Sequence, residues 1–305
     1  EGAYSNLVLG SHLSSKIDSK DRALVTELVY GVIQQKKHLD YVISQYSKIK
    51  TSKLSLLVLN ALRIGVYQML FLDRVPDFAA VNESVNIIKK HDGKRAGNFA
   101  NAVLRNISRN KAKIPYPDKE KDIQEFLSVY YSFPPWLIKR WVKLYGVSFT
   151  EDLCKAFNER PRVCIRTNTL LTTPEKLLHM LENEGVNVTP GLLINEAFYI
   201  QSPVPLNKLE SFRKGFFIPQ DESSMLTALA LGAKSKDMVL DVAAAPGGKT
   251  THIAQLMRNE GKILAWDIHP HRAKLIKQNC ERLKITNVDI EVRDSRIPDV
   301  ERYNT

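Results

Sequence analysis

Residues 239–251 constrain the fold of this chain more than any other stretch. They read Val-Leu-Asp-Val-Ala-Ala-Ala-Pro-Gly-Gly-Lys-Thr-Thr, which predicts a short buried strand, a tight turn of small residues and the start of a helix. Small residues at such a turn let the backbone approach a ligand, and the first turn of the helix offers N–H groups without intrahelical partners. The stretch therefore predicts a strand–turn–helix unit of a nucleotide-binding α/β domain.

The carboxylates that follow this turn have the spacing of an adenosine site. A second predicted strand at 262–266 ends on Asp267, 20 residues after Gly247. At about this spacing βαβ folds place a carboxylate on the ribose hydroxyls. Asp294 comes directly after a further predicted strand, at the carboxyl edge where such sheets bind ligands. We therefore predict an adenosine-cofactor site made of Ala243, Ala244, Ala245, Pro246, Gly247, Gly248, Lys249, Asp267 and Asp294.

Two other interpretations of the turn stay open. A phosphate-binding P-loop has the pattern G-x-x-x-x-G-K-[ST], and Gly248 with Lys249 and Thr250 supplies its end. Its first glycine falls on Ala243, however, and Pro246 lacks one of the N–H donors that would hold phosphates. The turn could also connect strand and helix without binding anything, although its run of small residues favours a ligand.

The hydrophobic periodicity predicts a multidomain chain that combines an all-α part with an α/β part. Residues 1–112 repeat apolar positions at helical spacing and form a helical bundle. Residues 113–214 hold a linker, two short helices near 123–130 and 135–145, and a small α+β module. From 215 to 305 strands alternate with helices, beginning with a strand at 216–219, which predicts a doubly wound parallel sheet that is incomplete in these residues.

The charge distribution points to a polyanionic partner. The 305 residues carry a net charge of +11, and residues 1–112 account for +8 of it, with 17 Lys and Arg against 9 Asp and Glu. Such asymmetry is typical of nucleic-acid binding, although a generally basic surface would produce it too. The candidate contacts to RNA in this bundle are Lys94, Arg95 and Arg105. Arg160, Arg162 and Arg166 are further candidates for phosphate contacts, with solvated arginines as the alternative.

Several classes of protein are disfavoured by composition. No apolar run approaches the roughly 18 residues of a membrane helix, and no signal-peptide pattern begins the chain. Cys154, Cys164 and Cys280 have neither disulfide-framework nor metal-ligand spacing, which is typical of a reducing cytosol. We expect a cytoplasmic protein that binds no metal and no membrane.

Four segments resemble one known family over essentially the whole chain. The turn at 243–249 resembles the S-adenosylmethionine motif of RNA cytosine-5 methyltransferases, in which Cys usually stands where this chain has Ala243. Residues 217–224, Phe-Ile-Pro-Gln-Asp-Glu-Ser-Ser, are similar to the segment that precedes this motif in those enzymes. Residues 97–105 and 21–31 look like parts of a NusB-type RNA-binding domain. Together they identify the chain as a member of the Sun/RsmB (Fmu) type of 16S ribosomal RNA cytosine-5 methyltransferases.

This resemblance implies a function and a division of roles. S-adenosylmethionine is the implied cofactor, with its methionine part at residues 243–249, its ribose at Asp267 and its adenine beside Asp294. The implied reaction is methyl transfer to C5 of a cytosine in free or early-assembly 16S ribosomal RNA, namely cytosine 967, by a monomeric enzyme. A non-catalytic RNA-binding or antitermination factor with a vestigial cofactor fold is the alternative.

The family's catalytic residues are the point at which this sequence departs from its pattern. Members attack C6 of cytosine with a cysteine thiolate, and a second cysteine resolves the adduct. These cysteines lie in Asp-Ala-Pro-Cys and Thr-Cys-Ser segments, neither of which occurs in the 305 residues. We therefore assign no catalytic residue and expect the catalytic cysteines to follow Thr305 in a longer protein.

Overall fold

The computed structural model describes residues 5–13, 17–201 and 204–297. The chain divides into two compact units, Glu1–Arg160 and Pro161–Thr305. The outer limits predicted for the first and last domains, residues 1 and 305, lie outside the described residues. Each unit builds its own core.

The first unit is helical throughout its described residues, as the periodicity predicts. Its largest core lies between the third, fourth and fifth helices, where Leu39, Leu62, Val66, Ile88 and Leu104 are completely or almost completely buried. The helices are α1 (Ser5–His12), α2 (Ser19–Gln34), α3 (Lys36–Tyr46), α4 (Leu56–Phe71), α5 (Asp77–Asn110), α6 (Ile123–Tyr130) and α7 (Pro135–Asn158), with short 3-10 turns at Thr51–Lys53 and Lys111–Lys113.

Glycines interrupt the two longest helices. Gly93 has φ 86° inside α5. Gly146 has φ 78° inside α7, and the helix continues to Asn158, whereas the sequence analysis ended it near residue 145. The extension forms because Cys154 is buried against Leu127 of α6, in a small core of its own. A left-handed residue bends a helix without stopping the chain from resuming it.

The second unit begins with an antiparallel sheet. Its strands lie in the order β2-β3-β1-β4. The strand at Phe217–Pro219 pairs antiparallel with Val163–Thr167, so the prediction that it opens the parallel sheet is wrong. The elements are β1 (Val163–Thr167), α8 (Pro174–Asn183), β2 (Val188–Pro190), β3 (Ala197–Ile200), a 3-10 turn (Leu206–Lys208), α9 (Glu210–Arg213) and β4 (Phe217–Pro219).

A parallel sheet follows, with its strands in sequence order β5-β6-β7. Asp294 follows the third strand of this sheet, because the predicted strand at 216–219 belongs to the antiparallel sheet. The core beside the sheet contains Ile253 and Ala254 from one helix and Ile276 from the next. The elements are α10 (Glu222–Leu231), β5 (Met238–Asp241), α11 (Gly248–Leu256), β6 (Lys262–Asp267), α12 (Pro270–Leu283) and β7 (Val288–Val292).

Hydrogen bonds that are buried or partly buried join the two sheets into one unit. The Asn168 side chain, just after β1, donates to the carbonyls of Gly215 and Leu283, both at 2.9 Å. Arg282 on α12 donates to the carbonyls of Phe212 and Phe217, also at 2.9 Å. These bonds hold the end of α12 against the antiparallel sheet.

Candidate cofactor site

Three strand ends of the parallel sheet meet at one edge. The N–H of Ala244, in the turn after β5, donates to the carbonyl of Trp266 at 2.9 Å. The N–H of Arg293, just after β7, donates to the carbonyl of Asp267 at 3.0 Å. The structure therefore brings the turn at 243–249, Asp267 and the segment that carries Asp294 to the same edge, where parallel sheets bind ligands.

The turn at 243–249 is fixed at both of its ends. Asp241 accepts from the Thr250 hydroxyl at 2.7 Å, which ties the end of β5 to the first turn of α11. Gly247 has φ 98° and donates to the carbonyl of Ala244 at 2.7 Å. This left-handed conformation favours glycine, and a Cβ at Gly247 would also lie close to α12, 3.3 Å from Ile276 Cγ2.

Side chains from α12 hold the middle of the turn. Arg272 donates to the carbonyl of Ala245 at 3.2 Å, and Asn279 donates to the carbonyl of Pro246 at 2.9 Å. Ala244 and Gly247 are buried, Ala245 and Gly248 are half-buried, and Ala243, Pro246 and Lys249 are exposed. The turn thus presents exposed small residues and the N-terminus of α11 on a fixed backbone.

Asp267 is a buried carboxylate at the end of β6. It is 4% exposed, and its Oδ1 accepts from the N–H of His269 at 3.0 Å. Arg272 Nε lies 3.7 Å from Oδ2. A carboxylate has about four lone-pair positions, so these contacts leave acceptor capacity for the hydroxyl groups of a ligand.

Asp294 is engaged by a neighbouring cation. The Arg296 guanidinium donates to both of its carboxylate oxygens, with the closest approach at 2.6 Å. These hydrogen bonds lower the pKa of Asp294 to about 2. Asp294 therefore carries a negative charge at neutral pH.

A buried polar cluster behind the turn escaped the sequence analysis. Arg166 on β1 is 1% exposed, so the prediction that it contacts phosphates is wrong. It donates to the side chain of Gln220 and to the carbonyl of Gly248 at 2.9 Å. His252 on α11 is completely buried, and burial, followed by the charge of Arg166, lowers its pKa to about 3. Alternation along β1 predicts two faces but not what covers each, so no sequence signal marked this cluster.

Arg160 and Arg162 have partners of their own. Arg160 forms an ion pair with Glu27 at 3.3 Å, and Arg162 lies over the ring of Tyr199, 4.3 Å from its centroid. Lys94 and Arg95 are exposed just after the break in α5, and Arg105 is exposed on the same helix, where its Nε donates to Asn101. All three candidate RNA contacts are thus accessible.

The three cysteines are unsuited to nucleophilic attack. Cys154, Cys164 and Cys280 are buried and free. Desolvation is the largest cause that raises the pKa of each to about 11. Since the thiolate is the nucleophile, none of them is prepared for covalent catalysis.

The described ranges contain neither a candidate metal cluster nor a helix that could span a membrane. Within residues 5–13, 17–201 and 204–297, no group of three or more His, Cys, Asp or Glu side chains could hold a metal ion. None of the helices in those ranges has the length and apolar character needed to span a bilayer.

Comparison with protein families divides the chain in three. Residues 1–109 match the NusB family, residues 133–207 match the ferredoxin-like domain of the RsmF/B-like methyltransferases, and residues 228–303 match the 16S rRNA methyltransferase RsmB/F family. Fold and matches together define a NusB-like helical domain joined to a methyltransferase-like α/β region, as the sequence analysis predicted.

Curated relatives and solved structures agree with this class. A probable ribosomal RNA small subunit methyltransferase B from Bacillus subtilis is 39% identical over 295 residues, and the alignment covers 96% of this chain and 65% of that protein. One of the same name from Synechocystis is 32% identical, with 98% and 67% covered. The chain belongs to the ribosomal RNA small subunit methyltransferase B family. It spans about two thirds of the length of the curated relatives that it matches.

Two solved structures share the fold at close to 30% identity. The crystal structure of PH0851 has a TM-score of 0.73 and 29% identity, covering 95% of this chain and 64% of that one. A methyltransferase homolog from Pyrococcus horikoshii has a TM-score of 0.51 and 30% identity, covering 55% of each chain.

Proposed function

We propose that this chain is the part of an S-adenosylmethionine-dependent methyltransferase that binds the cofactor, acting on C5 of a cytosine in 16S ribosomal RNA. The observation that carries the proposal is the meeting of the turn at 243–249, Asp267 and Asp294 at one edge of the parallel sheet. Family membership supports RNA methyl transfer, and cytosine 967 is the target that the sequence resemblance implies.

Each predicted site residue has a place in this proposal. Asp267, buried and with free acceptor capacity, accepts from the ribose hydroxyls. Asp294, ionised at neutral pH, lies beside the adenine. The exposed small residues of the turn and the N-terminus of α11 face the methionine part, where oriented N–H groups favour its carboxylate.

The cofactor, when bound, supplies a methyl group that is electrophilic because it is attached to a sulfonium. C5 of cytosine becomes sufficiently nucleophilic only after a thiolate adds to C6, and the buried cysteines of this chain do not provide that thiolate. We therefore propose a binding role for the residues at the sheet edge and assign none of them a catalytic role.

The cofactor is tested by calorimetry with the 305-residue chain. We expect S-adenosylhomocysteine to bind and ATP not to compete with it. Asp267→Asn should weaken binding by about 1–3 kcal/mol, the cost of a lost charge-assisted hydrogen bond. Asp289→Asn is the matched control, since Asp289 lies on β7 and pairs with Lys262 on the surface. Tight ATP binding without competition by S-adenosylhomocysteine would refute the proposal and favour a P-loop function.

The partner we propose is free or early-assembly 16S ribosomal RNA, bound through the basic helical region. The domain division of the sequence analysis, at residues 1–112, 113–214 and 215–305, is part of this proposal, and the three family matches support it. The enzyme is proposed to be a cytoplasmic monomer that needs neither metal nor membrane.

A second candidate function is an RNA-binding factor that does not transfer methyl groups. The buried, protonated cysteines and the match to the NusB family favour it. Such a factor would bind small-subunit RNA with or without S-adenosylhomocysteine. Binding of small-subunit RNA by a chain that shows no calorimetric binding of S-adenosylhomocysteine would support this second function over the first.

A further inference from the structure

The guanidinium of Arg166 is buried, and the charge of Glu196 favours its cationic form without forming an ion pair with it. Burial lowers its pKa to about 9, so it remains a cation at neutral pH. Within the described ranges no carboxylate forms an ion pair with it, and Arg166 Nε has no hydrogen-bond partner there. Its acceptors are all neutral, namely Gln220 Oε1, the carbonyl of Gly248 and Thr251 Oγ1.

Burial of this cation destabilises the folded state. A buried cation loses its hydration, and neutral acceptors return only part of the lost free energy. The cation also lies at the N-terminus of α11, where the helix macrodipole is positive and disfavours it. An apolar side chain of similar length would fill the space at lower cost, so packing does not explain an arginine at this position.

What arginine supplies here is a rigid fork of donors that reaches two elements at once. Arg166 Nη1 donates to the carbonyl of Gly248, the first residue of α11, at 2.9 Å, and Nη2 donates to Thr251 Oγ1 at 3.2 Å. Nη1 also donates to Gln220, directly after β4. The antiparallel sheet thereby holds the first turn of α11, which begins inside the turn at 243–249.

We propose that Arg166 is a positioning residue for the cofactor turn, because it fixes the start of α11 from the antiparallel sheet and so sets the N–H groups that face the cofactor. The effect of Arg166 on cofactor binding rests on the proposed function, whereas its contacts with α11 do not. The antiparallel sheet then contributes to cofactor binding, although Arg166 lies 82 residues before Gly248 in the sequence.

The test compares Arg166→Met and Arg166→Lys with the wild-type chain. Arg166→Met removes the buried charge, which stabilises the fold, but leaves the side chain of Gln220 without its donor, so these opposing effects should leave the melting temperature close to that of wild type. Hydrogen exchange of the amides at 247–251 should become at least tenfold faster in this variant, while exchange in β1 and β6 is unchanged. Arg213→Met is the matched control, since Arg213 is exposed on α9, and it should leave exchange at 247–251 within twofold.

Cofactor affinity provides a second, separate measurement. Arg166→Met should bind S-adenosylhomocysteine at least tenfold more weakly than wild type, and Arg166→Lys should recover part of the loss because it keeps the charge and one donor. Exchange at 247–251 that stays at the wild-type rate in a folded Arg166→Met would overturn the inference. If Arg166→Met does not fold, hydrogen exchange at 247–251 is measured in Arg166→Lys. Exchange faster than in wild type supports the inference, and exchange at the wild-type rate overturns it. A wild-type chain that binds no S-adenosylhomocysteine defeats the proposed function, while the exchange data still decide the role of Arg166.

Discussion

His252 makes the second unit sensitive to acid. Its side chain is completely buried on α11, and neither ring nitrogen has a hydrogen-bond partner within the residues the structure describes. Burial and the nearby charge of Arg166 hold its pKa at about 3, against about 6.5 in an unfolded chain. As the pH falls from 6.5 towards 3, His252 therefore becomes protonated in the unfolded state but stays neutral in the folded state.

The size of the effect follows from proton linkage. Each pH unit in that window lowers the free energy of unfolding by about 1.4 kcal/mol. At pH 5 the loss from this one residue is about 2 kcal/mol. His252→Leu removes the titrating ring and two buried unpaired nitrogens, so the variant should be at least as stable as wild type at pH 7.5. Its advantage should grow by about 2 kcal/mol at pH 5.

Urea unfolding at pH 7.5 and pH 5.0, followed by far-UV circular dichroism, measures this difference. Comparison of variant with wild type at each pH cancels the titration of the other groups. His179→Leu is the control, because His179 is exposed on α8 in the same unit, and it should change the free energy of unfolding by less than about 0.5 kcal/mol at either pH. A gap between His252→Leu and wild type that is equal at the two pH values would refute the reasoning.

Two further predictions concern RNA binding and catalysis. Binding of small-subunit RNA should weaken steeply with salt, and replacing both Lys94 and Arg95 by Ala should reduce the slope of log K against log salt by about 1–2. Filter binding from low to high salt measures this slope. A slope that does not change would exclude both residues as phosphate contacts. With labelled S-adenosylmethionine and unmethylated 16S RNA, the 305-residue chain should transfer no methyl group, and the Cys280→Ser variant should give the same result. If the chain transfers a methyl group and Cys280→Ser abolishes the transfer, Cys280 is the nucleophile.

The sequence predicted that the turn at 243–249 and Asp267 lie at one edge of the sheet because its signals are local. The turn at 243–249 and the strand that ends on Asp267 lie within one βαβ unit, where small residues, strand length and spacing specify the geometry directly. These features need no knowledge of distant partners.

The errors came from pairing between distant segments. The strand Phe217–Pro219 precedes a helix and so resembled the first strand of the parallel sheet, but its partner is β1, some 50 residues earlier in the chain. The sequence predicts phosphate contact or solvation for Arg166, but Gly248 and Thr251, which accept hydrogen bonds from it, come 82 and 85 residues later in the chain. Periodicity gives each strand two faces and leaves open which face another element covers.

The bonds between the two sheets limit how this region can be inherited. A recombination event that moved residues 228–303 alone into another protein would separate Arg282 from the carbonyls of Phe212 and Phe217, and Asn168 from that of Leu283. Each buried partner left unpaired costs about 1–3 kcal/mol, so a few of them would consume much of the stability of a small domain. The antiparallel sheet and the parallel sheet are therefore expected to be inherited together. The residues that form the contacts between the two sheets are expected to change together.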